Sequence, residues 1–160
     1  MEKKINLLFV DDEEVFLESM KKRLEMRGFN VVAVNRGEKA LEEAELHPFD
    51  IAVIDLKMPG INGEDTLVEL KNKHPMIQVI ILTGHGSMDS AVECTRAGAR
   101  KYLQKPCDFE KLYEALADAY KINIMRKRQL GEEHISDILK AANATSPVDI
   151  LRRLRELDRD

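Results

Sequence analysis

The chain has 160 residues, of which 44% are hydrophobic and 34% are charged. This length suits one domain with a short appendage, and the apolar fraction is enough for a buried core and too high for an intrinsically disordered protein. The formal net charge of -4 opposes a general attraction to nucleic acid. Cys94 and Cys107 lie in no CxxC or Cys/His spacing, so we expect neither a disulfide framework nor a zinc site.

The chain carries no recognisable targeting or membrane segment. Only six apolar-rich residues precede Asp11, which is too few for a signal peptide. No apolar run approaches the ~20 residues of a membrane span. We therefore expect a cytoplasmic protein that does not bind membranes.

Five short apolar runs have the pattern of strands that are buried on both faces. They lie at residues 5–10, 31–34, 51–54, 79–82 and 99–103. Segments with apolar residues at helical spacing separate these runs, and glycine or proline ends each segment. The alternation predicts an α/β fold, a doubly wound five-stranded parallel sheet with helices on both faces.

The C-terminal part of the chain is predicted to be helical throughout. A fifth helix begins after Lys105-Pro106, with Asp108 as its N-cap, and two short helices follow, the second starting at Ser146-Pro147. We expect a domain over residues 1–125 and an extension over residues 126–160 that serves interaction, dimerisation or linkage. Its apolar stripes could pack back on the domain, pair in a homodimer or lead to an output domain. Residues 109–160 hold ten basic and ten acidic side chains, which argues against direct nucleic-acid binding.

Five polar side chains follow the predicted strands. In such a sheet, ligands bind outside the carboxyl ends of the strands. Asp11 and Asp12 follow the first strand, Asp55 the third, Thr83 the fourth and Lys105 the fifth. Carboxylates ~4 Å apart repel by ~4 kcal/mol per pair at a dielectric constant of about 20, so this group needs a cation. Oxygen ligands with room for water suit Mg2+ and favour phosphoryl chemistry around a nucleophilic carboxylate.

The same residues resemble the receiver domain of two-component response regulators over residues 4–123. The matching motifs are Asp11-Asp12, Asp55-Leu56-Lys57-Met58-Pro59-Gly60, Gly63, Thr83-Gly84 and Lys105-Pro106. The resemblance implies the flavodoxin-like strand order 2-1-3-4-5. It also implies that Asp55 accepts a phosphoryl group from a histidine kinase or phosphotransfer protein. Mg2+ would be bound by Asp11, Asp12, Asp55 and the backbone carbonyl of Lys57, and Thr83 and Lys105 would bind phosphoryl oxygens.

The resemblance further implies a conformational switch. Thr83 would move toward the phosphoryl group, Tyr102 would enter the vacated space, and the face of the fourth helix, fifth strand and fifth helix would change. That face can also pair in a homodimer. A cis Lys105-Pro106 bond is expected. His85 and Lys57 flank the site, either tuning hydrolysis of the phosphoryl group or serving as exposed loop residues without a role.

Two alternatives to a signalling switch remain. A metal-dependent aspartyl-phosphate phosphatase can share this fold, but such enzymes usually carry a second aspartate two residues after the nucleophile, where this chain has Lys57. We therefore expect no turnover of external substrates, with self-catalysed phosphotransfer and autodephosphorylation left open. The chain could also be the receiver fragment of a longer transcriptional regulator, because the residues from Thr83 to Ser87 resemble receivers that precede enhancer-binding ATPases.

Overall fold

Five parallel strands form one sheet in the order β2-β1-β3-β4-β5 in a computed structural model that describes residues 3–159. The strands are β1 Ile5–Val10, β2 Phe29–Val34, β3 Ile51–Ile54, β4 Gln78–Thr83 and β5 Ala99–Gln104. Every residue of β3 and β4 is buried, including the apolar runs 51–54 and 79–82 from which burial was predicted. The predicted sheet and its strand order are confirmed.

Seven helices connect and follow the strands within residues 3–159. They are α1 Glu14–Glu25, α2 Gly37–Leu46, α3 Gly63–Lys73, α4 Met88–Arg96, α5 Phe109–Lys127, α6 Glu132–Ala141 and α7 Pro147–Asp158. None of them is long and apolar enough to cross a membrane. Both short C-terminal helices are present. As predicted, Ser146 is the N-cap of α7 and Pro147 its first residue, with the Ser146 hydroxyl accepting the Asp149 N–H at 3.2 Å. Asp108 precedes α5, but its side chain makes no capping hydrogen bond.

The two faces of the sheet carry separate hydrophobic clusters. Successive residues of a strand point to opposite faces, so Leu7 and Phe9 pack with α1 and α5, whereas Leu8 and Val10 pack with α2, α3 and α4. Helix α4 contributes only Cys94 to the buried set. It is therefore the helix with the fewest buried residues. It connects β4, which ends at Thr83, to β5, which is followed by Lys105.

Helices α6 and α7 pack back onto the domain. Ile135, Leu139, Leu151 and Leu154 are buried in the same cluster as α1 and α5. Of the three arrangements that the sequence left open for the tail, this is the one in which its apolar stripes cover their own domain. The expected boundary at residue 125 falls in the last turn of α5, which ends at Lys127.

Candidate functional site

Three carboxylates meet at the carboxyl edge of the sheet. β1 and β3 are neighbours with Val10 opposite Ile54, so Asp11 and Asp55, which follow those residues, come side by side. Oxygen atoms of Asp11, Asp12 and Asp55 lie within 4.8 Å of one another. Asp11 and Asp55 are buried, whereas Asp12 is exposed. The arrangement offers a cation both protein oxygens and access to water.

Lys105 is the positive group of this site. Its ammonium donates to Asp11 Oδ2 at 2.7 Å and lies 3.8 Å from Asp55 Oδ2. Only 13% of the lysine side chain is exposed, and the aromatic ring of Phe16 lies 4.5 Å from the ammonium nitrogen. Glu13 stands 3.6 Å from the same nitrogen. The expected cis bond between Lys105 and Pro106 is present.

Burial and charge shift the pKa values of this cluster. Burial raises the pKa of Asp11 above its usual value, and the negative charge of Asp55 adds to that rise, although hydrogen bonds from Lys105 and the Glu13 N–H oppose it. Burial acts to lower the pKa of Lys105, but the hydrogen bond to Asp11 and the nearby carboxylates outweigh burial and raise that pKa. Lys105 therefore stays charged, yet one ammonium does not neutralise three carboxylates.

Asp55 retains an oxygen that is free to react or bind. Its Oδ1 atom is buried and has no hydrogen-bond partner among the residues that the structure describes. Buried polar atoms are nearly always partnered, so an unpaired one calls for an explanation such as a catalytic role or a bound ion. The observation fits a hard divalent cation beside Asp55, and it fits a nucleophilic role for this carboxylate.

Thr83 ends β4, the strand between β3 and β5, and so stands between the strands that carry Asp55 and Lys105. The Thr83 side chain is fully buried, and its hydroxyl oxygen accepts the N–H of His85 at 3.0 Å. The hydroxyl keeps its own proton for donation to another acceptor. His85 and Gly84 are exposed in the loop that follows.

Tyr102 lies beneath the loop between β4 and α4. Tyr102 belongs to β5, where it pairs with Ile81 of β4, and it is half-buried. A side chain added at Gly86 would collide with the Tyr102 hydroxyl, so the ring is seated against the Gly86 backbone. The hydroxyl is buried and has no hydrogen-bond partner in the described part of the chain. The Tyr102 hydroxyl therefore lies against the loop that connects β4 to α4.

The loop after β3 is shaped by glycines. A Cβ at Gly63 would collide with the backbone of Asp55 and Leu56, and the Gly63 N–H donates to the Leu56 carbonyl at 2.8 Å. Gly60 adopts a φ of 80°, which favours glycine. Lys57 lies in this loop with its side chain exposed. These contacts hold the loop against Asp55 and explain why the motif requires Gly60 and Gly63.

Two residues of the site were not predicted from the sequence. Glu13 and Phe16 approach Lys105 because α1 begins two residues after the acidic pair, at the edge of the sheet where Lys105 follows β5. The Glu13 N–H also donates to Asp11 Oδ1 at 2.9 Å. Both lie close to Asp12 along the chain, but nothing local in the sequence pairs them with a lysine some 90 residues away.

The pattern of carboxylates, hydroxyl and lysine agrees with a family model, the response regulator receiver domain, which matches residues 7–117. The chain belongs to the response regulator receiver family. The transcriptional regulatory protein ZraR of Klebsiella oxytoca is 37% identical over 115 residues, which cover 72% of this chain and 26% of that protein. The chain therefore spans about a quarter of the length of the curated relatives that it matches.

Solved structures share the fold. A CheY-like receiver domain protein from Methanospirillum hungatei JF-1 has a TM-score of 0.73 and 29% identity, covering 78% of this chain and 98% of that one. A response regulator protein from Burkholderia pseudomallei, solved with a phosphorylated aspartic acid, a calcium ion and citrate, has a TM-score of 0.68 and 27% identity. The latter match covers 98% of both chains, so it extends over the C-terminal helices.

Proposed function

We propose that this receiver is a phosphoacceptor switch in which Asp55 takes a phosphoryl group from a sensor histidine kinase or a phosphotransfer protein. The observation that carries the proposal is the buried Asp55 carboxylate, whose Oδ1 has no partner while Oδ2 faces Lys105 at 3.8 Å. The phosphorylated aspartic acid of the Burkholderia pseudomallei relative supports the same chemistry.

We propose Mg2+ as the cation of the site. Asp11, Asp12 and Asp55 would supply carboxylate ligands, together with the backbone carbonyl of Lys57, and the exposed side of Asp12 leaves room for water. The calcium ion in the Burkholderia pseudomallei protein agrees with an oxygen-rich divalent site. When bound, the metal would neutralise carboxylate repulsion and the charge of the transferring phosphoryl group.

In the transfer step an oxygen of Asp55 attacks phosphorus, a P–O bond forms, and the P–N bond to the donor histidine breaks, with the imidazole keeping the electron pair. Lys105 exchanges part of its contact with Asp11 for a phosphoryl oxygen, and its persistent charge suits that role. Thr83 donates a hydrogen bond from its hydroxyl group to another phosphoryl oxygen. These groups act by position and charge.

The output of the switch is proposed at the face of α4, β5 and α5. Thr83 would move toward the phosphoryl group, and Tyr102, already seated at Gly86, would be held inward. Helix α4, with Cys94 as its one buried residue, is free to shift in response. This face is then a proposed surface for a partner or a homodimer.

Further aspects of the proposal follow from the residues around Asp55. Lys57 holds the place of the acid/base aspartate of aspartyl phosphatases, so we propose a signalling protein without external substrates. We also propose that the protein acts in the cytoplasm. A second candidate is the receiver part of a longer transcriptional regulator, which is favoured by relatives such as ZraR that are about four times as long as the matched segment. Residues 126–160 would then connect the receiver to the rest of the regulator or cover the receiver surface, and they would not bind DNA.

The test uses acetyl phosphate and Mg2+ with intact-mass measurement. The wild type is expected to gain one phosphoryl group, Asp55→Asn none, and the exposed Asp65→Asn control as much as the wild type. Omission of Mg2+ should abolish the gain. Equal labelling of wild type and Asp55→Asn would refute Asp55 as the acceptor, and labelling that survives chelation would refute the metal.

A further inference from the structure

The connection between α5 and α6 has an unfavourable backbone conformation. It comprises residues 128–131, and Gln129 has a φ of 55°. The Leu130 N–H donates to the Met125 carbonyl at 2.8 Å, which makes Gln129 the left-handed residue of a helix-ending motif where glycine is strongly preferred. Asn143 performs the same task after α6 with a residue that tolerates it better. The turn at residues 128–131 is therefore stabilised by the packing of the residues that follow it.

That packing involves the C-terminal helix pair, which is residues 132–158. At its far end, the Asp158 carboxylate is buried and accepts a hydrogen bond from the Tyr120 hydroxyl at 2.7 Å. The ammonium groups of Lys3 and Lys127 lie 3.3 and 3.5 Å from the same carboxylate. Lys127 also binds Asp50 at 2.7 Å. One carboxylate thus joins α7 to α5 and to the residues around β1 and β3.

Other contacts fix the rest of the helix pair. Lys121 of α5 forms an ion pair with Glu132 at 2.7 Å. Arg155 lies directly against Gly28, where any side chain would collide with its guanidinium. Ile135 and Leu154 are fully buried. The helix pair therefore fits its receiver surface closely in shape, charge and hydrogen bonding, although only residues 128–131 connect the two.

We infer that this surface also accepts the C-terminal helix pair of a second copy of the chain, which gives a reciprocal, helix-swapped dimer. If residues 128–131 become helical, α5 and α6 join into one helix from Phe109 to Ala141. Each helix pair then packs on the other copy, and the contacts of Asp158, Glu132 and Arg155 form between copies instead of within one. No new interface is needed, and the left-handed conformation of Gln129 is released.

The connecting residues allow this change. Residues 128–131 contain no proline, and a Cβ at Gly131 would meet nothing within 4 Å. Arginine, glutamine and leucine, the other three residue types, are good helix formers. The occupant is a second copy because the surface already fits this helix pair in detail, and an unrelated partner would have to reproduce all of those contacts.

Two sets of variants test the swap. Gln129→Ala combined with Gly131→Ala favours the continuous helix, and we expect it to lower the dimer dissociation constant by about tenfold or more, since each dimer replaces two glycines by alanines within a helix. Gln129→Gly favours the reversal and is expected to shift the equilibrium toward monomer. Sedimentation equilibrium from micromolar to millimolar chain concentration measures both.

The identity of the interface is tested by cysteine pairing. In a Cys107→Ala background, Lys121→Cys chains are mixed with Glu132→Cys chains carrying the double-alanine connection, and a short bismaleimide, which can span the reach of the original lysine and glutamate side chains, is expected to link them into a heterodimer. Monomers throughout the concentration range for the double-alanine protein would overturn the inference. So would dimers that the bismaleimide does not link, because they would use another surface. The Asp55→Asn labelling result is independent of either outcome.

Discussion

Replacing Asp158 by asparagine should weaken the fold at the far end of α7. The Asp158 carboxylate is 5% exposed and accepts the Tyr120 hydroxyl at 2.7 Å. A hydrogen bond to a charged group contributes ~1.5–3 kcal/mol and a neutral one ~0.5–1.5 kcal/mol, so the exchange costs about 1–1.5 kcal/mol. Lys3 and Lys127 are 43% and 31% exposed, and their loss as partners adds only ~0–1 kcal/mol. We expect Asp158→Asn to lower the free energy of unfolding by about 1–2.5 kcal/mol at pH 7.

The same variant carries a pH signature. Burial acts to raise the pKa of Asp158, but the hydrogen bond from Tyr120 and the charges of Lys127 and Lys3 outweigh it and leave that pKa below its usual value. The carboxylate therefore stabilises the fold fully above the unfolded-state pKa of about 3.9, and this stabilisation is lost as the pH falls from there toward the folded-state pKa. The difference between wild type and Asp158→Asn should shrink below about pH 4.

Urea unfolding followed by circular dichroism, at several pH values between about 7 and 3.5, measures both effects. Asp118→Asn is the matched control, because its partner Arg100 and Asp118 itself are each 41% exposed and their ion pair contributes ~0.5 kcal/mol or less. If Asp158→Asn costs no more than Asp118→Asn at pH 7, or if its cost persists unchanged at about pH 3.5, the assigned role of the buried carboxylate is wrong.

Three further predictions concern other parts of the molecule. Leu154→Ala should lower the free energy of unfolding by ~2–5 kcal/mol in urea unfolding, because the side chain is fully buried, whereas the half-exposed Val148→Ala should cost under about 1 kcal/mol. Gly86→Ala should displace Tyr102, since any side chain there meets its hydroxyl, and 19F NMR of fluorotyrosine-labelled chain should show a shifted Tyr102 signal. Asp12→Asn should weaken Mg2+ binding in calorimetric titration about tenfold or more, and unchanged affinity would exclude Asp12 as a ligand.

The sheet and much of the candidate site could be predicted because their determinants are local. Continuous apolar runs identify buried parallel strands, and the handedness of their connections leaves few topologies. Once the strands are known, the residues that follow them must share one edge. Asp11, Asp55 and Thr83 therefore came together in the prediction without knowledge of any contact, and the observed strand register agrees.

The contacts made by side chains were not accessible in this way. Glu13 beside Lys105, and Tyr102 against Gly86, depend on helix and loop positions that are fixed by packing across the whole domain. Their sequence signals, an acidic residue after an acidic pair and a glycine in a loop, are common in solvent-exposed segments. Only distances distinguish a site residue from such a bystander.

The C-terminal helices show most clearly what the sequence determines and what the tertiary structure determines. Their helical periodicity and the Ser146-Pro147 start are local properties, so the sequence alone determined that two amphipathic helices follow α5. An apolar stripe specifies that something must cover it, but not what. The tertiary structure decided what covers α7, because Leu154, Arg155 and Asp158 there meet a matching apolar surface, the bare backbone of Gly28 and the hydroxyl of Tyr120.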